Sequence, residues 1–127
     1  MNEFYKKLKD ANITGINAGY RTYSLHIKKG LRQDSEKLYG LTEFDDGKIT
    51  LEENMDYETS REVMLHELTH VVLELGGLGG SELDDSVISM KNEEMTTLIS
   101  RGLLMLMNLN PKLFEILNEP VRQLPKG

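Results

Sequence analysis

Glu62-Val63-Met64-Leu65-His66-Glu67-Leu68-Thr69-His70-Val71-Val72-Leu73 sets two histidines four residues apart inside a run compatible with a helix. On a helix that spacing stacks both imidazoles on one face, one turn apart, so both can reach a single metal ion. Glu67, beside the first histidine, is then placed to take a proton from an attacking water. Leu68 and Thr69 fill the two variable positions and need not bind metal.

Working outward, Asp56 is a candidate N-cap for a helix beginning near Tyr57, and Glu58 adds favourable negative charge to its first turn. The helix should run to about Leu75, where Gly76-Gly77 stops it and Gly79-Gly80 extends the interruption. Val63, Leu68, Val71 and Val72 supply its packing. The glycine cluster reads as a helix stop, since neither a dinucleotide-binding nor a phosphate-binding glycine loop is present.

Upstream, Lys48-Ile49-Thr50-Leu51-Glu52 alternates apolar and polar residues as a half-buried strand does. Asp46-Gly47 offers a tight reversal from a second strand at Leu38-Tyr39-Gly40-Leu41-Thr42. A third strand is predicted between Tyr20 and Lys29, with Leu25 and Ile27 toward the core and His26 on the opposite face. Asn12 to Gly19 reads as turns, Gly30 to Lys37 as a connection or frayed helical turn, and Asn2 to Lys9 as a short amphipathic helix over an edge.

Downstream, a loop is expected from Leu78 to about Met90, its Asp84-Asp85-Ser86 being a solvated turn. A second long helix is expected from about Glu93 to Leu109, with Asn92 as cap and its apolar half facing the metal-binding helix. Gly102 would permit close packing there. Asn110-Pro111 makes a cap and first position for a short helix through Leu117, and Pro120 and Pro125 disfavour another helix in the tail.

The 127 residues suit a single domain, 1–127, with its core at about 20–118 and a short C-terminal tail. A net charge of -6 with dispersed basic residues gives no footing for nucleic-acid binding. With no cysteine there is neither a disulfide framework nor a thiolate metal site. The apolar run Leu103-Leu104-Met105-Leu106-Met107 is too short to span a bilayer, and the first ten residues lack the apolar core of a signal peptide. The expectation is a soluble cytoplasmic protein with no membrane and no nucleic-acid partner.

Two imidazoles and one carboxylate form a three-ligand zinc site with one position open, so Zn2+ is the expected ion; nickel, cobalt or manganese can fill such a site in vitro. The carboxylate must come from elsewhere, and Glu93 and Glu94 open the next long helix. Helical periodicity does not choose between them. Tyr57, Tyr39, Tyr23 and His26 are candidates for an oxyanion or substrate contact, each weighed against an ordinary packing or polar role.

Glu62 to His70, followed by Asn92-Glu93-Glu94 and an apolar helix, resembles compact gluzincin-like metallopeptidases. It is similar especially to small phage-associated zincin-like proteins and, remotely, to ImmA/IrrE peptidases. The resemblance spans about Lys48 to Phe114 and implies an α+β zincin-like fold, with a small, partly antiparallel sheet beside the active-site helix and a second long helix packed on it. It implies His66 and His70 as metal ligands and Glu67 as catalyst. Asn92-Glu93 with Thr96 matches the downstream pattern best, making Glu93 the third ligand, although Thr97 stands where the pattern has an acid and Glu94 stays as substitute. No third histidine follows in the metzincin arrangement.

The implied activity is zinc-dependent hydrolysis of a peptide or protein, with a sheet edge aligning an extended substrate. The implied setting is the cytoplasm of a phage-infected or prophage-bearing bacterial cell. A contrasting expectation is a phage accessory or interaction domain, with a protein partner and a structural zinc site of little turnover.

Overall fold

The computed structural model describes residues 1–77 and 92–119. Four strands form the main sheet in the order β1-β2-β6-β5: β1 (Gly15–Asn17), β2 (Thr22–Lys28), β6 (Lys48–Glu52) and β5 (Gly40–Glu43). β2 and β6 run parallel, while β1 and β5 are antiparallel to their neighbours. β3 (Arg32–Gln33) and β4 (Glu36–Lys37) form a separate two-stranded hairpin.

Ahead of the sheet lies α1 (Glu3–Asp10), and after it come α2 (Tyr57–Leu75), α3 (Asn92–Leu109) and α4 (Pro111–Leu117). The architecture is α+β, with a partly antiparallel sheet and a helix carrying His66-Glu67-x-x-His70 packed against a second long helix. That is a zincin-like arrangement.

Capping decides where α2 begins. Asp56 is extended, and its carboxylate accepts from Thr59 N at 2.7 Å, satisfying an otherwise orphaned donor. At the far end Gly76 closes the last turn and Gly77 takes φ +74, a left-handed conformation that glycine adopts without strain. Ser60, Met64, Glu67, Leu68, Val71 and Val72 form the buried stripe of the helix. It meets Ile49 and Leu51 of β6 and Tyr23 of β2 in one core with Phe4, Tyr5 and Leu8 of α1. The amphipathic first helix is thus part of the core and more than an edge cover.

Parity in the sheet follows the register. Leu25 faces Ile49, Ile27 faces Leu51, and Thr42 pairs with Ile49, so these residues share the face turned to the helices. Leu25 and Ile27 pack against the core as expected. His26, Thr50 and Glu52 point the other way. Glu52 is nevertheless only 2% exposed, because its carboxylate accepts the backbone N–H groups of Gly30, Leu31 and Asn54 at 2.9 to 3.0 Å. β6 is therefore buried on both faces, where alternation had suggested one.

Two segments correct the expected loops. Gly15–Asn17 forms β1 and pairs with β2. Gly30 to Lys37 contains no helical turn: Asp34 and Ser35 adopt φ of 51 and 67 and reverse the chain between β3 and β4.

α3 packs antiparallel on α2. A Cβ at Gly102 would lie 2.6 Å from Val72 Cγ1, and one at Gly76 would run into Leu98 Cδ1, so both glycines allow close approach. Asn110 stands at the N-cap of α4 with Pro111 opening the helix, as expected, but its side chain makes no capping bond there. Its amide instead accepts from Asn17 N at 2.7 Å and donates to Asn17 O at 2.8 Å. The expected Asp84-Asp85-Ser86 turn, the rest of the predicted 78–91 loop, the Asn92 side chain and the tail from 120 lie outside the described residues.

Candidate metal centre

His66 and His70 project from adjacent turns of α2, and their Nε2 atoms lie 3.2 Å apart. Their rings stand nearly perpendicular at 82°. Glu67 joins them: one ligand-capable atom from each of the three side chains lies within 4.8 Å of the others. This is the single group of its kind found among the described residues.

The three side chains occupy different environments. His66 is exposed and His70 half-buried, whereas Glu67 is only 4% exposed and belongs to the stripe of α2 that faces the sheet. Its carboxylate reaches β5, where Thr42 Oγ1 donates to Glu67 Oε1 at 2.8 Å. Gly40, on the same face of β5, leaves room for the rest of the group; a Cβ there would lie 2.8 Å from Glu67 Oε2 and 2.8 Å from Val63 Cγ1. A buried carboxylate needs such a donor, because its desolvation is otherwise uncompensated.

The donor set fits a zinc ion. Two imidazole nitrogens bound tetrahedrally at about 2.0–2.1 Å stand about 3.3 Å apart, close to the separation found here. Two imidazoles are donors that zinc accepts when thiolates are absent, and the buried carboxylate of Glu67 stands beside them.

Glu93 and Glu94 are not gathered into this group. Both are exposed, in the first turn of α3, and line a shallow depression with Thr97, Leu98 and Arg101. The antiparallel contacts put Leu98 level with Gly76 and Gly102 level with Val72. At 1.5 Å of rise per residue, Glu94 therefore stands about 15 Å from His70 along the helix axis, past the end of α2.

The four candidate contact residues are scattered. Tyr57 begins α2, more than two turns before His66, and its ring packs edge-on to Phe4 with Lys7 and Arg61 over it. Tyr23 is buried and its hydroxyl pairs with that of Tyr20 at 2.6 Å; burial is the main cause that pushes its pKa above the usual phenol range. Tyr39 is exposed beside Lys37, at the start of the edge that leads to Gly40. His26 lies on the sheet face turned away from α2 and meets Ser24 Oγ at 2.9 Å.

Thr42 and Gly40 are the residues that sequence reasoning missed. A glycine inside a strand does mark a place of close approach, but nothing local says what approaches. An open apolar groove lined by Leu65, Met107, Phe114 and Leu117 runs beside α2, and none of His66, Glu67 and His70 lines it.

No family model, curated protein or solved structure matches the chain. The protein is thus a compact α+β domain with a His-Glu-x-x-His cluster consistent with a zincin-like fold. Among the described residues no helix is long and apolar enough to cross a membrane.

Proposed function

We propose that the protein is a zinc-dependent peptidase of the zincin kind, with His66 and His70 holding the ion and Glu67 moving the proton. The observation that carries this is the 3.2 Å separation of the two Nε2 atoms beside a buried carboxylate. Bound zinc supplies Lewis acidity to polarise a carbonyl and make water more acidic. Glu67 takes the proton of the attacking water and passes it to the departing amine nitrogen, so its carboxylate ends as it began.

A peptide substrate is supported by the edge of the sheet. Glu52 N donates to Tyr39 O at 2.8 Å, so this residue pair is hydrogen-bonded across β5 and β6. By alternation Leu41 and Glu43 also turn their backbone groups toward β6, leaving those of Gly40 and Thr42 facing outward. β5 has no second strand partner among the described residues. An extended peptide adding there would lie along the strand that touches Glu67.

The test is zinc stoichiometry together with cleavage of a broad peptide library. Wild type should bind one zinc and cleave. Glu67→Gln should keep the metal and lose cleavage by about 10²–10⁴-fold, while His66→Ala should lose both. Stoichiometric zinc with no cleavage would favour a structural site in an interaction domain. Absence of zinc from carefully prepared wild type would reject the metal reading.

A further inference from the structure

Glu67 is a long carboxylate within 4.8 Å of two imidazole nitrogens, and zinc readily takes a carboxylate beside two histidines. Left to itself such a group is a ready ligand, and a carboxylate bound to the ion cannot also accept the proton. Two residues of β5 act on it. Thr42 donates to Oε1 at 2.8 Å, and Gly40, two positions earlier on the same face, leaves the space beside Oε2 that any side chain would fill. The edge strand thus offers both a donor and a vacancy to a group that burial would otherwise penalise.

We infer that Thr42 and Gly40 are positioning residues that hold the Glu67 carboxylate against β5 and outside the coordination sphere of an ion at His66 and His70. This rests on the metal reading above. The edge strand then decides whether Glu67 is a proton acceptor or a ligand. The Thr42 side chain meets neither ion nor substrate and acts only through Glu67, while its backbone lies on the edge where a peptide would add.

The experiment replaces zinc with cobalt(II) in the full chain, because the visible d–d band of cobalt weakens and shifts as ligands are added. Wild type and Thr42→Ser, which keeps the hydroxyl, should share one band. Thr42→Val, nearly the same shape without the donor, should show the weaker band of a site with one further oxygen ligand. The double variant Thr42→Val/Glu67→Gln should return to the wild-type band, since the released ligand is gone. A band unchanged in Thr42→Val at one cobalt per chain overturns the inference and leaves the metal reading standing. A changed band that survives in the double variant also overturns it, because the change then does not pass through Glu67. Failure of wild type to take up cobalt or zinc overturns the metal reading and this inference with it. Should Thr42→Val not fold, Gly40→Ala, which displaces Oε2 from its place, is read by the same comparison with and without Glu67→Gln.

Discussion

His66 and His70 face each other through Nε2 atoms 3.2 Å apart on consecutive turns of α2. A ligand that binds only the folded state stabilises it by mass action, by about 2.7 kcal/mol at a free concentration one hundred times the Kd. Zinc added in that excess should therefore raise the melting temperature of wild type. The shift should vanish in His66→Ala and in His70→Ala, as followed by differential scanning calorimetry; an equal shift in all three proteins would place the zinc elsewhere.

The register of α3 on α2, fixed at Gly76–Leu98 and Gly102–Val72, bears on the third ligand. With Glu93 and Glu94 past the end of α2, Glu93→Gln and Glu94→Gln should each leave zinc affinity within about twofold of wild type by competition with a chromogenic chelator. Loss of a ligand carboxylate would instead weaken binding by about tenfold or more. A loss of that size in Glu93→Gln would show that the first turn of α3 reaches the ion.

Glu52 gives the fold an acid-sensitive joint. Its carboxylate accepts three backbone N–H groups, which hold its pKa below the ordinary value of 4.5 against the opposing effect of desolvation, with the bond from Asn54 foremost. A depressed pKa in the folded state means that its contribution is complete above 4.5 and is lost as pH falls through the lower folded value. Glu52→Gln should flatten that part of the stability curve below pH 4.5 in urea titrations, besides costing about 1–3 kcal/mol at neutral pH. Parallel acid limbs for the two proteins would contradict this role.

Gly102 sets two effects against each other. Alanine is worth about 1 kcal/mol over glycine in a helix interior, yet its Cβ would stand 2.6 Å from Val72 Cγ1. A stiff, fully packed valine gives way poorly, and overpacking costs about 1–3 kcal/mol. Gly102→Ala should on balance destabilise, and Val72→Ala made in its presence should cost less than Val72→Ala alone. Chemical denaturation of the four proteins in the cycle measures both statements.

Local chemistry explains which parts were legible in the sequence. Asp56, Gly76 and Gly77 mark the ends of α2 within a few residues of the chain they terminate, so its span and its histidine pair could be read directly. β1 could not, because Gly15-Ile16-Asn17 has turn composition and becomes a strand only by pairing with Thr22 to Ser24. Asp34 and Ser35 hid a hairpin by taking left-handed conformations with residues other than glycine. Glu67 was legible as chemistry, but Thr42, 25 positions earlier, carries no sign of the contact. Where Glu93 and Glu94 stand depends on the register of α3 on α2, set at Gly76–Leu98 and Gly102–Val72, which periodicity in a broadly apolar helix does not encode.

Asn110 presents to Asn17 the same donor and acceptor that another strand would offer. An amide side chain thereby closes the β1 side of the sheet at that point to growth by further chains, and among the described residues the open margin is the opposite one, at Gly40 and Thr42. On the proposed reading, self-assembly through this edge would compete with peptide capture for one row of amides. A peptidase built this way would lose its substrate edge to strand stacking while its fold stayed intact.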